Sequence, residues 1–141
     1  MPSAAVLDSS VLISAFLTSQ GTSGQVLDAA ERGAYALCLS PEIVAETAGR
    51  LLGKPKLRAS YGYRAANVER FCDGLVGMAR MVADLPAGRF VPGDPKGDMV
   101  VATALAAGTG CLVTGARRHL LALGEHEGIR VLGPRAFLDL L

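Results

Sequence analysis

The chain has 141 residues, a formal net charge of +1, half of its residues hydrophobic and only 19% charged. This composition excludes an intrinsically disordered chain, which would be polar and highly charged. The length matches one domain that can bury a sizeable core. Because the net charge is close to zero, a nucleic-acid ligand would need a local basic patch.

The sequence predicts neither a membrane-spanning segment nor a targeting segment. Its apolar runs reach only about ten residues, too few to span a bilayer. The first residues lack the basic region of a signal peptide. The three cysteines, Cys38, Cys72 and Cys111, are far apart in apolar surroundings, as is typical of free thiols in a reducing compartment. We therefore expect a cytoplasmic protein without disulfide bonds.

Short apolar runs alternate with helical patterns along the chain. Strands are predicted at residues 4–7, 35–39, 111–114 and 129–132, with a minor strand at 90–91. Helices are predicted after Asp8, from Thr22 to Gly33, from Ser40-Pro41 to Gly53, within 58–84, from Asp98 to Gly108, at 117–123 and from Pro134.

Strands without internal alternation, separated by helices, indicate a parallel sheet that is covered on both faces. We expect one α/β domain over residues 1–141, with a sheet of about four to five strands and helices on both faces. No repeat or interdomain linker interrupts this pattern.

Three acidic residues, Asp8, Glu46 and Asp98, lie just after predicted strands or early in predicted helices. Ligands of a parallel sheet gather at the carboxyl ends of its strands. Carboxylates brought together there are costly unless a cation binds them, and hard oxygen ligands suit Mg²⁺ or Mn²⁺. Such a cation can activate water and neutralise the charge that develops on a phosphodiester.

Each acid also has a purely structural explanation. Asp8 can cap a helix, although Ser9 or Ser10 could do so instead. Asp98 is ordinary in a helix's first turn, and Glu46 alone could be a solvated helical residue. A zinc site is disfavoured, because the cysteines and the two histidines lack ligand spacing. Nucleotide-binding domains are disfavoured as well, because neither GxGxxG nor a P-loop occurs.

Five segments, in this order, resemble the PIN-domain family of metal-dependent ribonucleases, to which the VapC-like toxins of bacterial toxin–antitoxin systems belong. The likeness spans essentially the whole chain. The segments are VLDSSVL, SPEIVAETAGRLL, DPKGDMVVATALAAG, LVTGARRHLLAL and GIRVLGPRAFLDLL.

This resemblance implies a single PIN-like domain with divalent-metal-dependent endoribonuclease activity. It implies that Asp8, Glu46 and Asp98 are the catalytic residues and hold Mg²⁺ or Mn²⁺, with Asp94 as an alternative ligand because Gly97 stands where relatives often have another acid. Residues expected to contact the RNA are Ser10, Thr114, Arg117 and Arg118.

Ala116 stands where the family usually has a fourth acid. Alanine cannot ligate a metal, so this substitution is expected to weaken metal binding and activity. It is either a natural change or an Asp→Ala substitution that disables a toxic nuclease. The alternative function is a catalytically degenerate PIN scaffold that binds RNA or protein.

The resemblance also implies three kinds of partner. These are an RNA substrate, a cognate antitoxin and a second copy of the chain, with helices around Leu12–Leu17 and residues 26–30 as the expected dimer surface. A basic group at Arg50–Arg64 and two tyrosines, Tyr61 and Tyr63, are either RNA contacts or ordinary surface and core residues.

Overall fold

A computed structural model describes residues 2–115 and 118–141. Ala116 and Arg117, both named above, lie outside the described residues. Six strands are present: β1 (Ala4–Leu7), β2 (Ala36–Leu39), β3 (Arg80–Met81), β4 (Cys111–Val113), β5 (Glu125–His126) and β6 (Ile129–Leu132).

The strands form one sheet in the order β3-β2-β1-β4-β6-β5. All neighbouring strands are parallel except the edge pair of β5 and β6, which is antiparallel. β1 lies in the middle, with Val6 opposite both Cys38 of β2 and Leu112 of β4. The predicted α/β class and mostly parallel sheet are therefore confirmed.

The four main predicted strands are confirmed within one residue at each end. The predicted minor strand at residues 90–91 is wrong, because the backbone there bonds to a carboxylate rather than to a neighbouring strand. β3 and β5 bring the sheet to six strands and were not predicted. Each has only two residues, too few to show an apolar pattern.

Eight helices lie in the described parts of the chain and flank the sheet. They are α1 (Ser9–Leu17), α2 (Thr22–Glu31), α3 (Pro41–Leu52), α4 (Pro55–Tyr61), α5 (Ala65–Met78), α6 (Pro95–Ala107), α7 (Arg118–Leu121) and α8 (Pro134–Asp139).

Two helix starts show how the sequence sets the boundaries. Ser40 caps α3 as predicted, accepting a hydrogen bond from the backbone N–H of Ile43 at 3.3 Å, with Pro41 as the first helical residue. The predicted start of α6 at Asp98 is wrong. Asp94 accepts a hydrogen bond from the Gly97 N–H at 2.9 Å and caps a helix that begins at Pro95.

The core is formed by the central strands and the inner faces of the helices. α1 and α2 pack against each other, and most of their apolar residues are buried within the chain. Six apolar positions of the predicted dimer surface are covered in this way: Leu12, Ala15, Val26, Leu27, Ala29 and Ala30. Ile13, Phe16 and Leu17 are only partly buried, so the dimer surface stays a prediction.

Among the described residues, none of the helices is both long and apolar enough to cross a membrane.

Candidate active site

Asp8 directly follows the central strand β1 and is completely buried. It occupies the N-cap position of α1, yet its side chain caps no backbone N–H group of the helix. Its Oδ2 atom instead accepts hydrogen bonds from the hydroxyls of Thr114 at 2.7 Å and Ser10 at 3.2 Å. The side chain of Asp8 therefore does not cap α1, which was the structural explanation considered for this residue.

Thr114 reaches Asp8 because β4 lies next to β1. The sheet continues on one side of β1 with β2 and on the other with β4, so the strand order reverses at this point. Such reversals form crevices at the carboxyl ends of the strands, where ligands of open α/β sheets bind. Thr114 is itself fixed by a hydrogen bond from its N–H to the carbonyl of Leu132 at the end of β6.

Glu46 and Asp8 both contact the hydroxyl of Ser9. The Ser9 hydroxyl donates to Glu46 Oε1 at 2.6 Å and lies 3.4 Å from Asp8 Oδ1. A single hydroxyl proton makes the shorter bond, so the second contact is weak. Arg50, one turn further along α3, lies 3.8 Å from Glu46 Oε1. The Glu46 side chain is only 9% exposed, so the alternative of a solvated helical residue is wrong.

Ser10 connects the two strand ends on the other side of Asp8. Its hydroxyl accepts a hydrogen bond from the Gly115 N–H at 3.1 Å and donates to Asp8. The loop after β4 is therefore tied to the start of α1. Together, the hydroxyls of Ser9, Ser10 and Thr114 position the carboxylates of Asp8 and Glu46.

Asp98 lies on α6 and binds backbone. Its Oδ1 atom accepts hydrogen bonds from the N–H groups of Phe90 and Val91, both at 2.7 Å. This carboxylate thereby holds the loop before α6 against the helix. α6 in turn packs on β1, β2 and β4, and Thr103 on it lies 2.9 Å from the Ser40 hydroxyl at the end of β2.

The capping carboxylate of Asp94 occupies the space that a side chain at position 97 would need. A side chain at position 97 would place its Cβ 2.7 Å from Asp94 Oδ2 and 3.1 Å from a methyl group of Val91. An acid at position 97, as in relatives of the resembled family, would therefore displace the capping carboxylate of Asp94. The helix start in this chain is built around a glycine.

The donor chemistry of Asp8 and Glu46 fits a hard divalent cation, because both offer carboxylate oxygens within one polar cluster. Asp98 shares no hydrogen bond with this pair. Within residues 2–115 and 118–141, no three Asp, Glu, His or Cys side chains form a group that could hold a metal ion.

Of the residues predicted to contact RNA, Ser10 and Thr114 lie in the cluster with Asp8. Arg118 is exposed at the start of α7, whereas Arg117 and the altered position Ala116 lie outside the described residues.

Sequence reasoning missed the role of Ser9, which was considered only as a helix cap. The signal was present in the doublet Ser9-Ser10 directly after Asp8, since two adjacent helical residues point in different directions and can serve two different carboxylates.

Comparison with known proteins agrees with this architecture. A family model described as "PIN domain" matches residues 4–118. Among solved structures, the crystal structure of PAE2754 from Pyrobaculum aerophilum matches with a TM-score of 0.55 at 16% sequence identity, covering 96% of this chain and 92% of that one. At this identity the likeness concerns the fold alone. No curated protein sequence matches the chain.

Proposed function

We propose a function from the premise that the chain belongs to the PIN-domain family, as the match over residues 4–118 shows. Members of this family are typically nucleases and usually use divalent metals. Our proposal is that this protein is an endoribonuclease dependent on Mg²⁺ or Mn²⁺ that hydrolyses RNA phosphodiesters. The observation that carries the proposal is the buried Asp8 carboxylate, joined to Glu46 through Ser9 at the strand-order reversal.

In this proposal Asp8 and Glu46 hold the cation, and Asp98 or Asp94 completes the ligand set. A divalent cation at such a site polarises phosphoryl oxygens and offsets the charge that develops on them. The chain's own contribution is preorganisation. Thr114 and Ser10 fix one carboxylate and Ser9 fixes the other, so neither has to be reoriented when substrate binds.

The test is cleavage of a labelled single-stranded RNA in the presence of Mn²⁺, measured for the chain as it stands and for Ala116→Asp. We expect the restored acid to increase the rate, and Asp8→Asn in the same background to abolish cleavage. Asp73→Asn, which removes an exposed acid on α5, is the matched control and should cleave like its parent. If Ala116→Asp is inactive and Asp8→Asn changes nothing, the chain is a binding scaffold and the nuclease proposal is wrong.

We further propose that the nuclease is the VapC-like toxin of a toxin–antitoxin pair. In this proposal it acts in the cytoplasm as a homodimer, to which a cognate antitoxin binds. The resemblance of the five sequence segments supports this. Induced expression of Ala116→Asp should arrest growth, and co-expression of the reading frame next to the gene should relieve the arrest. Growth without arrest, despite RNA cleavage in vitro, would contradict the toxin assignment while leaving the nuclease assignment intact.

A further inference from the structure

The near-zero net charge of the chain conceals a strongly basic segment. Residues 47–68 contain five basic side chains and no acidic one, while the rest of the chain has nine basic and thirteen acidic residues. We call residues 50–64 the basic arm; it comprises the end of α3, all of α4 and the turn after it. Its cations are Arg50, Lys54, Lys56, Arg58 and Arg64.

The arm lies at the surface of the domain. No residue of α4 is buried, and this helix packs chiefly against α3. Throughout the described part of the chain, no carboxylate lies within ion-pair distance of Lys54, Lys56, Arg58 or Arg64. Their charges are therefore not neutralised by ion pairs within the described part of the chain and are available to a ligand.

Tyr63 connects the turn after α4 with α3 and α1. The Tyr63 hydroxyl donates to the carbonyl of Leu51 at 2.7 Å, and its ring lies edge-on to Phe16 at a centroid distance of 5.0 Å. Desolvation raises the pKa of the Tyr63 phenol, while the nearby charge of Arg58 opposes the shift. Tyr63 is thus a structural residue, which settles for this tyrosine the two alternatives left open by the sequence.

Tyr61 behaves differently. It is 50% exposed, and its ring is shared by two surface grooves. One groove, of about 690 Å³, has mostly apolar walls and is bordered by Lys54 and Lys56. The other lies between Tyr61 and Phe16 beside Asn67. A half-exposed aromatic ring between grooves, flanked by unpaired cations, is the combination that single-stranded nucleic acids bind by stacking and phosphate contact.

Helix α3 connects the arm with the candidate active site. Glu46 lies in the middle of α3, and Leu52 at its end is only about 9 Å further along the helix axis. Arg50 lies between them and contacts Glu46. Arg50 therefore lies between the other cations of the arm and the carboxylate cluster along the chain.

We propose that the basic arm is a docking surface for single-stranded RNA, in which Tyr61 stacks on a base and Lys54 and Lys56 contact phosphates. The choice of RNA as the ligand rests on the proposed function, and the arm adds to it a binding surface outside the carboxylate cluster. An acidic protein would also be attracted by the charges, but it would not require an aromatic ring at position 61.

The test is fluorescence anisotropy with a labelled single-stranded RNA of roughly 12 nucleotides, in EDTA so that binding is measured without cleavage. Tyr61→Ala should weaken binding about 5- to 100-fold, the range for loss of one stacked base, and Tyr61→Trp should restore it. Val76→Ala removes another exposed apolar side chain, on α5, and should bind like the parent.

The phosphate contacts are tested by the dependence of binding on salt. Lys54→Ala/Lys56→Ala should reduce the slope of log K against log salt by about 1.4, because each lost contact to a single strand removes about 0.7. Arg32→Ala/Arg135→Ala removes two exposed cations elsewhere and should leave the slope unchanged. Because α4 buries no residue, the thermal unfolding midpoint of the arm variants should equal that of the parent.

Two results would overturn the proposal. One is arm variants that bind RNA as the control variants do. The other is binding that depends on the lysines but not on Tyr61 and is displaced by poly-glutamate, which would identify a surface for an acidic protein.

Cleavage by the same variants in the Ala116→Asp background separates this proposal from the nuclease assignment. We expect a raised KM with unchanged kcat. RNA binding through the arm without any cleavage would refute the nuclease function alone, whereas cleavage with unchanged KM would refute the arm alone.

Discussion

The hydroxyl of Ser9 lies 2.6 Å from the carboxylate of Glu46 and joins α1 to the middle of α3. Glu46 is nearly buried, and Arg50 lies 3.8 Å from the same carboxylate oxygen. Asp8 contacts the same hydroxyl more weakly, so one small side chain lies between the two acids.

Ser9→Ala should therefore affect both stability and activity. Loss of a hydrogen bond to a charged, nearly buried acceptor costs about 1.5–3 kcal/mol in free energy of unfolding, measured by urea denaturation. Displacement of Glu46 should lower metal affinity or activity about 10- to 100-fold. Ser19→Ala, at an exposed position in the turn after α1, is the control and should change neither. Equal stability of Ser9→Ala and Ser19→Ala would show that Ser9 does not hold Glu46.

Thr114→Val should be more destabilising than Thr109→Val. Both threonines are buried and donate one hydrogen bond, but Thr114 donates to the Asp8 carboxylate and Thr109 to the carbonyl of Cys111 at 3.1 Å. Hydrogen bonds to charged groups contribute about 1.5–3 kcal/mol, against about 0.5–1.5 kcal/mol for neutral ones. Chemical denaturation of the two variants measures the difference, and an equal loss would contradict a stronger hydrogen bond from Thr114 than from Thr109.

Asp98 allows a structural role to be separated from a metal-binding one. Asp98→Asn keeps an oxygen that can accept from Phe90 and Val91, whereas Asp98→Ala leaves both N–H groups without it. We expect Asp98→Ala to lose about 2–4 kcal/mol of unfolding free energy and Asp98→Asn much less. If Asp98 also holds the cation, Asp98→Asn will lose activity despite its stability. Full activity of this variant would make Asp94 the better ligand candidate.

Two glycines in helices should respond in opposite ways to alanine. At Gly24 in α2 the added Cβ would lie 2.0 Å from the backbone oxygen of Ser19, so the turn between α1 and α2 would have to move. At Gly74 in α5 nothing lies within 4 Å of the added atom. Gly74→Ala should raise stability by about 0.5–1 kcal/mol, the helix-propensity gain, and Gly24→Ala should lower it. Thermal unfolding of the pair measures both signs.

The three cysteines should resist modification in the native protein. All three are buried free thiols, and burial raises the pKa of Cys72 and of Cys111. A raised pKa leaves less thiolate at neutral pH, and the thiolate is the reactive form. A colorimetric thiol reagent should therefore react slowly with the folded protein. In denaturant it should detect three thiols per chain. Rapid reaction of one thiol under native conditions would contradict the buried packing.

The central strands could be predicted because each is a short continuous apolar run, and a parallel sheet covered by helices requires such runs. The place of Asp8 at the carboxyl end of a strand also followed from the sequence, since it comes directly after such a run. The role of Asp98 did not follow. Its partners are backbone N–H groups of an irregular loop, and no side-chain pattern encodes the path of that loop.

The start of α6 was misplaced for a related reason. Asp94 and Asp98 are both acids near a proline, and either fits a helix start by composition. The structure distinguishes them. Asp94 caps the helix, and a Cβ atom at position 97 would come within 2.7 Å of its carboxylate, a contact that only the folded chain shows. Tyr61 and Tyr63 are a similar pair, two residues apart and alike in sequence context. Tyr63 bonds to the backbone of α3, whereas Tyr61 is half exposed to solvent.

The hydrogen bond between Thr114 and Asp8 joins residues 106 positions apart in the chain. A ribosome must therefore complete four-fifths of this polypeptide before the strand carrying Thr114 can take its place beside β1. A nascent or prematurely terminated chain would contain Asp8, Ser9 and Glu46 but not the neighbour that holds Asp8 in place. The topology thus delays assembly of the carboxylate cluster until synthesis is nearly finished.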